Sequence, residues 1–315
     1  MPRSPLDSSR LAAGDLAAVA RAISVIENDE PGARDLLRAI FPRTGKGYRI
    51  GVTGPPGAGK STITSRLAQH YRALGRSVGV IAVDPTSPFS GGALLGDRVR
   101  MADVETDRGV FIRSMASRGS LGGLSRKAVE AADVLDASGR EIIIMETVGV
   151  GQSELDIAGA ADTTMVVLVP ESGDSIQAMK AGLMEIADFF VMNKADRAGA
   201  EQAVTAIQMI LHFRAGAAWN PAVVSSVAST GEGIPAIAAQ IDAHRAHLEA
   251  SGGLARKRRG SLERRVGELV DESLRAGFWS PERRAKLAER MDAVMDHRLS
   301  PYEVAEDLIV HFTSR

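Results

Sequence analysis

The sequence contains no cysteine among its 315 residues. This absence excludes a disulfide framework, a cysteine-ligated zinc site and a thiol nucleophile. The formal net charge is only -1, so there is no overall basic field that would attract nucleic acid or an anionic membrane. Long apolar runs are missing too, since none reaches the roughly 18 residues of a membrane span. Asp7 and Asp15 interrupt the N-terminal stretch, which argues against a targeting peptide. We therefore expect a cytoplasmic protein that binds neither nucleic acid nor membrane.

Hydrophobic periodicity divides the chain into three regions. Apolar residues at helical spacing predict short helices over 8–44, and from residue 48 strand-like and helix-like patterns alternate. The strand candidates are YRIGVT, SVGVIAVD, GVFIRSM, EIIIMET, TTMVVLV, DFFVMNK and PAVVSSV. Helical patterns follow at 60–74, 125–138, 198–213 and 234–250. This alternation is typical of an α/β domain with a largely parallel sheet. We expect an N-terminal helical extension over 1–44, a nucleotide-binding domain over 45–250 and a C-terminal helical segment over 255–315.

The C-terminal region contains only helical patterns. The stretch SGGLARKRRG, residues 251–260, breaks the preceding pattern and is interpreted as a linker. Ser280 and Ser300 are each followed by proline, which favours a helix start, and Glu303 would complete a capping box with Ser300. An apolar stripe of helical period, here called the C-terminal stripe, consists of Leu262, Val266, Leu269, Val270 and Leu274.

A complete Walker A motif, GPPGAGKS, lies between a strand pattern and a helix pattern. In this motif backbone N–H groups surround the phosphates, Lys60 reaches the β and γ oxygens, and the Ser61 hydroxyl binds Mg²⁺. Prolines 55 and 56 occupy the positions where partitioning-type ATPases carry an additional lysine. The predicted phosphate-binding residues are Gly54, Pro55, Pro56, Gly57, Ala58, Gly59, Lys60, Ser61 and Thr62.

The tetrapeptide NKAD, residues 193–196, ends a later strand pattern. The Asp196 carboxylate can accept hydrogen bonds from the N1–H and the amino group of guanine, a donor pair that adenine lacks. Asn193 can bond N7, and the stem of Lys194 can cover the ring. After the next strand, Ser226, Val227 and Ala228 would supply backbone contacts to the guanine O6. The motif therefore predicts GTP as the nucleotide.

Acidic residues end or follow several of the predicted strands. Asp84 and Glu146 terminate strand patterns, Asp97 lies in LLGDRVRM, and Gly149 follows Glu146 by three residues. Nucleotide-bound Mg²⁺ requires one or two carboxylates, which these residues could supply. The alternative interpretation of each is a helix cap or turn residue. Gln152 could orient the attacking water, although it is not directly adjacent to Gly149.

Several long segments together identify a resemblance. They are GVTGPPGAGKST, VIAVDPTSPFSGGALLGDRVRM, FIRSMASRGSLGGLS, METVGVGQSE and NKAD. In order and spacing they resemble the GTPase chaperones of adenosylcobalamin-dependent acyl-CoA mutases, the MeaB/ArgK type associated with methylmalonyl-CoA mutase. The resemblance extends from about residue 8 to the C-terminus. It implies a P-loop NTPase fold of the SIMIBI-like class, the broad class that also contains metal-insertion GTPases for nickel enzymes. In this family Glu146-Thr147-Val148-Gly149 is the form that the acid-x-x-Gly motif takes.

The resemblance also implies roles for individual residues. The positions that resemble the family's metal-side residues are Ser61, Asp84, Asp97, Glu146 and Thr147. Arg100 resembles a nucleotide contact. In the segment 171–182, Asp174, Gln177 and Lys180 resemble residues that respond to nucleotide and to the partner mutase, and with Lys60 and Gln152 they form the predicted catalytic set. This segment departs from the family pattern, because Glu171-Ser172 replaces Gly-Ala and Ser175-Ile176 replaces Glu-Leu.

By this resemblance we expect a GTPase that gates, protects or reactivates an acyl-CoA mutase. Its ligands would be Mg²⁺ and GTP or GDP, without B12 bound directly, and hydrolysis would be slow unless the mutase stimulates it. It would be a homodimer formed through its C-terminal segment, with an adenosyltransferase as a possible further partner. A metallochaperone-type GTPase is the main alternative, but it would want Cys or His ligands. A kinase is disfavoured because no HRD or DFG set is present, and an inactive scaffold because Lys60, Ser61 and Asp196 are intact. Histidines 244 and 247 are predicted to be surface residues.

Overall fold

The computed structural model describes residues 8–84, 107–116, 126–147, 153–170, 182–212 and 218–313. Within this part of the chain seven strands form one sheet in the order β3-β2-β4-β1-β5-β6-β7, and every pairing is parallel. The strands are β1 Tyr48–Thr53, β2 Val78–Asp84, β3 Val110–Ala116, β4 Ile142–Thr147, β5 Thr163–Leu168, β6 Phe189–Asn193 and β7 Val223–Ser226. The predicted parallel α/β architecture is confirmed.

Helices connect the strands and continue beyond them on both sides in sequence. They are α1 Ser8–Ala12, α2 Leu16–Glu27, α3 Ala33–Ile40, α4 Lys60–Ala73, α5 Arg126–Ala137, α6 Ser153–Ala160, α7 Met184–Ile186, α8 Ala200–His212, α9 Ile234–Ala250, α10 Gly253–Phe278, α11 Pro281–Met295 and α12 Pro301–Thr313. A short 3-10 turn, Phe41–Arg43, follows α3. None of the described helices is long and apolar enough to cross a membrane.

Helices cover both faces of the sheet, which explains why the central strands are continuous apolar runs. Along β4, Ile142 and Ile144 belong to a core cluster that includes α4 and α9 residues, whereas Ile143 and Met145 belong to a second cluster on the other face. That second cluster contains residues of the N-terminal helices and of α5. The N-terminal helices are thus part of the same hydrophobic core as the sheet, in a compact unit that extends to Ala255.

The chain segment before β1 is anchored by a single carboxylate. Asp136 near the end of α5 accepts hydrogen bonds from three successive backbone amides, those of Gly45 at 2.7 Å, Lys46 at 3.2 Å and Gly47 at 2.9 Å. A side chain at Gly47 would collide with the carbonyl oxygen of Arg140, so this close approach requires glycine. The first residue of β1 is therefore positioned by contacts that lie upstream of the strand itself.

The linker predicted at 251–260 was wrong. Only Ser251 and Gly252 form a turn, and α10 begins at Gly253 and continues to Phe278. Leu254 packs against the first core cluster, and Arg259 pairs with Glu263 one turn later, at 2.8 Å. Lysine and arginine are good helix formers, so the basic run extends a helix instead of interrupting it.

A second compact unit begins at Arg256 and contains most of α10 together with α11 and α12. Both predicted helix starts are confirmed. The Ser280 side chain accepts a hydrogen bond from the Arg283 amide, and Ser300 and Glu303 form the reciprocal bonds of a capping box. All five residues of the C-terminal stripe lie on α10 and are exposed in this chain, by 38% to 60%.

Candidate nucleotide-binding site

The Walker A loop connects the end of β1 to the start of α4. Gly54, Gly57 and Gly59 all have positive φ, at 133°, 75° and 91°, which side chains other than glycine rarely adopt. A side chain at Gly54 would also clash with the carbonyl oxygen of Val167 in β5. The glycines of the motif are therefore required by the backbone path, and this path brings the loop against the central strands.

Lys60, the first residue of α4, points back into the loop. Its Nζ donates to the carbonyl oxygens of Gly54 at 2.7 Å and Pro55 at 3.0 Å, and the residue is buried. The ammonium group is thus held at the helix N-terminus, where backbone N–H groups already favour anions. Phosphate oxygens can take the place of these two carbonyl acceptors without a change in the position of the helix. Thr62 lies exposed in the first turn of α4.

The predicted metal-side residues Ser61 and Glu146 are in direct contact. The Ser61 hydroxyl donates to Glu146 Oε1 at 2.5 Å, and both residues are buried. They meet because β1 and β4 are adjacent parallel strands, with Val52 opposite Glu146. Next to them the Thr147 hydroxyl donates to that of Thr53 at 3.0 Å.

This group of residues suits Mg²⁺ bound to a nucleotide. Hydroxyl and carboxylate oxygens are hard donors, which Mg²⁺ prefers, and the nucleotide's phosphates and water supply the remaining ligands. A cluster of three or more acidic, histidine or cysteine side chains is not found in the described ranges, so nothing there forms an all-protein metal cage. Asp84 ends β2, whose Val83 is opposite Thr147, so this strand ends at the same edge of the sheet.

Asn193, at the end of β6, connects the two halves of the site. Its Nδ2 donates to the carbonyl oxygen of Ala58 in the Walker A loop at 2.8 Å. Its Oδ1 accepts from the Ser226 hydroxyl at 3.3 Å and from the Ala228 amide at 3.1 Å. One buried side chain therefore fixes the phosphate loop relative to the segment that follows β7.

The other NKAD residues face solvent beside the loop. Lys194 adopts a left-handed backbone conformation with φ of 57°, and its Nζ donates to the Gly57 carbonyl at 2.9 Å. Asp196 is exposed, and its carboxylate accepts no hydrogen bond from any described residue. It remains accessible to the edge of a base.

The loop after β7, residues 227–231 and here called the base loop, is held by its own backbone bonds. The Val227 amide donates to the Glu232 carbonyl, and the amides of Thr230 and Gly231 both donate to the Val227 carbonyl. Two of the predicted base contacts, the amides of Val227 and Ala228, are therefore engaged by protein acceptors.

Arg66 is a residue of this site that the motifs did not reveal. It lies on α4, and its guanidinium donates to the Ala228 carbonyl at 3.3 Å and the Ser229 carbonyl at 2.9 Å. The contact spans more than 160 positions of sequence, so no local pattern could have indicated it.

Seven predicted site residues lie outside the described residues. They are Asp97, Arg100, Gly149, Gln152, Asp174, Gln177 and Lys180. Of Asp84 only the strand position is described. The structure thus brings together the phosphate-side and base-side residues, and leaves the roles of these eight as predictions.

The surface position predicted for His244 was wrong. The residue is only 2% exposed, and its Nδ1 lies 2.8 Å from the Thr163 hydroxyl, which in turn lies 2.5 Å from the Tyr48 hydroxyl. Trp219 covers it with ring centroids 4.8 Å apart, and its Nε2 lies 3.4 Å from Asp188. Burial holds the pKa of Tyr48 well above its usual range. This network, here called the amino-edge network, lies where β1, β5 and β6 begin, opposite the Walker A loop.

Comparisons with known proteins agree with this arrangement. The sequence pattern of a family described as "Methylmalonyl Co-A mutase-associated GTPase MeaB" matches residues 19–283. The chain is 37% identical to "GTPase ArgK" of Escherichia coli, covering 93% of this chain and 91% of that protein. It is 34% identical to "Methylmalonic aciduria type A homolog, mitochondrial" of Mus musculus, covering 97% of this chain and 78% of that protein. A crystal structure of an "LAO/AO transport system kinase" superposes with a TM-score of 0.76 at 29% identity, over 99% of both chains. This likeness confirms the predicted P-loop fold.

Proposed function

Because the chain belongs to the family of methylmalonyl-CoA mutase-associated GTPases and is therefore a GTPase, we propose that it serves an adenosylcobalamin-dependent acyl-CoA mutase. In this role GTP hydrolysis gates, protects or reactivates the mutase, which is methylmalonyl-CoA mutase or a close relative. The observation that carries the proposal is the family match over 19–283, combined with a complete set of phosphate-side and base-side groups at one edge of the sheet.

The described residues have separate tasks in this reaction. Lys60 neutralises the β and γ phosphate oxygens, and the loop amides orient them. Ser61, Glu146 and Thr147 would hold Mg²⁺ with the phosphates, and the metal supplies positive charge to the developing phosphate. Asp196 selects guanine through its N1–H and amino group, while Asn193 keeps the base side in register with the Walker A loop.

The proposed output of hydrolysis is conformational. Strands β2, β4 and β5 all end at the edge that carries the nucleotide site, and the segments containing Asp97 and Arg100, Gly149 and Gln152, and then Asp174, Gln177 and Lys180 follow these three strands in sequence. A mutase that binds the GTP form more tightly shifts the protein toward that form, and by linkage it alters GTP binding in return. An adenosyltransferase as a second partner, and a cytoplasmic location, stay predictions.

Steady-state GTP hydrolysis tests the proposal. The rate is measured for the protein alone, with each adenosylcobalamin mutase of the source cell, and with an unrelated protein as control. We expect the cognate mutase to raise the rate at least about tenfold, which is about 1.4 kcal/mol of barrier. Lys180→Ala should reduce this stimulation with little change in GTP affinity. Equal rates with and without every such mutase would leave only the GTPase activity standing.

We also propose that the C-terminal stripe joins two copies of the chain, as expected of the C-terminal segment at 255–315. Its support is the exposure of five apolar side chains on one helix face, which a monomer would leave in water. Light scattering should therefore report a dimer that Val266→Asp converts to a monomer, whereas Glu268→Gln on the same helix should leave it intact. A Val266→Asp protein that remains dimeric contradicts this assignment.

A further inference from the structure

Arg66 uses its charge on backbone carbonyls and not on a carboxylate. Its Nε and Nη2 donate to the carbonyl oxygens of Ala228 and Ser229, and its Nη1 donates to Gln69 Oε1 at 3.3 Å. Within the described ranges no acidic side chain pairs with it. A half-buried guanidinium that bonds two consecutive carbonyls restricts that stretch of backbone strongly, because its donors have a fixed planar arrangement.

The peptide group between Ala228 and Ser229 is the one that this contact orients. In a trans peptide the C=O and N–H groups point in opposite directions. Since Arg66 holds the Ala228 carbonyl on the α4 side, the Ser229 amide is directed away from α4. In the base loop the amides of Val227, Ala228, Thr230 and Gly231 all have protein acceptors, and the Ser229 amide is the one without an acceptor among the described residues.

The position of Arg66 on α4 gives the contact a second consequence. Lys60 and Ser61 begin this helix, and Arg66 follows less than two turns later, so one rigid element carries the phosphate-side residues and the support of the base loop. Asn193 makes a parallel connection through Ala58 and Ala228. The base loop is therefore braced against the phosphate side at two points.

We propose that Arg66 is a positioning residue for base recognition, which directs the Ser229 amide toward the carbonyl oxygen O6 of a guanine-type base. The inference rests on the proposed guanine site and extends it. The positive charge at the Ala228 carbonyl also polarises the same peptide group, which makes the Ser229 N–H a stronger donor. The residue selects bases that carry an oxygen at position 6.

Three nucleotides separate this role from a general structural one. GTP and ITP both carry O6, whereas 2-aminopurine riboside triphosphate lacks it. Arg66→Ala should weaken binding of GTP and of ITP about tenfold, the effect of one good hydrogen bond, and change binding of the 2-aminopurine nucleotide less than about twofold. Affinities are measured by titration calorimetry on the full chain.

Two further variants complete the experiment. Arg66→Lys, whose single ammonium cannot fork between both carbonyls, should lose about threefold for GTP, and it gives the same comparison if the alanine variant does not fold. Arg72→Ala serves as the matched control, because Arg72 lies on the same helix but pairs with Asp107 at 2.9 Å. It should lower thermal stability without changing the order of the three affinities.

The outcomes distinguish this inference from the guanine site on which it rests. Asp196→Asn should abolish the preference for GTP over ITP, and an unchanged preference would refute the guanine site itself. If Asp196→Asn behaves as expected but the Arg66 variants weaken all three nucleotides equally, or none of them, the guanine site survives and the role of Arg66 is overturned.

Discussion

The two edges of the sheet present similar chemical groups in different states. At the carboxyl edge, Lys60 and Ser61 bond to backbone carbonyls and to Glu146, contacts that phosphate and metal ligands can replace. At the amino edge, the hydroxyls of Tyr48 and Thr163 bond each other and His244 beneath the ring of Trp219. Both edges are largely buried, but only the first ends in a glycine-rich loop and a helix N-terminus.

This difference separates function from stability along the same strands. Strand β1 runs from Tyr48 in the amino-edge network to Thr53 beside the Walker A loop. Substitutions at its carboxyl edge should change catalysis more than folding, and substitutions at its amino edge should do the reverse. Each of the following predictions tests that separation.

The largest effect is expected for Lys60→Ala. Loss of the ammonium removes a preorganised charge from the phosphate site, and such losses typically slow catalysis by about 100-fold or more. GTP turnover should fall accordingly, with only a small change in melting temperature. Lys46→Ala, which removes a lysine just before β1, is the matched control and should leave turnover unchanged. A large loss of stability without a loss of turnover would contradict the separation.

His244→Ala should produce the next largest effect, on stability. The substitution removes a buried hydrogen bond and a ring contact, so we expect the free energy of unfolding to fall by about 2 kcal/mol. Denaturant titration measures this change, and GTP affinity should stay within about twofold. His247→Ala, on the same helix and 5.1 Å from Trp219, should cost less. Weakened GTP binding in a fully stable His244 variant would show that the two edges are coupled.

Glu146→Gln and Glu141→Gln compare the two ends of one strand. Glu146 lies at the carboxyl end of β4, and Glu141 directly precedes the strand, where it pairs with Arg76 at 2.6 Å. We expect Glu146→Gln to slow hydrolysis at least about tenfold, or about 1.4 kcal/mol of barrier, at saturating Mg²⁺. Glu141→Gln should leave it unchanged. Similar rates for both variants would return Glu146 to a capping role.

The smallest effect concerns the pH dependence of stability at Glu141. Bonds from the Ser77 amide and from Arg76 hold the pKa of this carboxyl below its usual value. The ionised form therefore stabilises the fold above the unfolded pKa of about 4.3, and this contribution is lost as pH falls through the lower, folded pKa. The difference in melting temperature between the parent and Glu141→Gln should be constant near neutral pH and vanish toward about pH 3. Because the pair is exposed, added salt should reduce the difference.

Much of the nucleotide site was predictable because its signals are local. The Walker A glycines, Lys60 and the NKAD tetrapeptide lie in short motifs next to apolar strands, and the parallel sheet then brings their ends together. The contact of Ser61 with Glu146 follows from adjacent parallel strands, although their adjacency had to be seen in the structure.

The errors and omissions share one cause, which is contact between residues distant in sequence. Spacing on α9 indicates which residues share a face but not that Trp219 and Thr163 cover His244. Composition marked 251–260 as a linker because it cannot show that Leu254 packs on the core. The same limit applies to Arg66, whose partners lie in the base loop.

The clamp formed by Asp136 has a consequence for chain engineering. Its three bonds to residues 45–47 tie the chain to α5 before β1 begins, so length changes upstream of Thr44 end at that junction. Within β1 a one-residue insertion would exchange the two faces of the strand and displace the Walker A loop. Chimeras with a relative's N-terminal helices should therefore be spliced at residue 44, provided that α5 is transplanted with them.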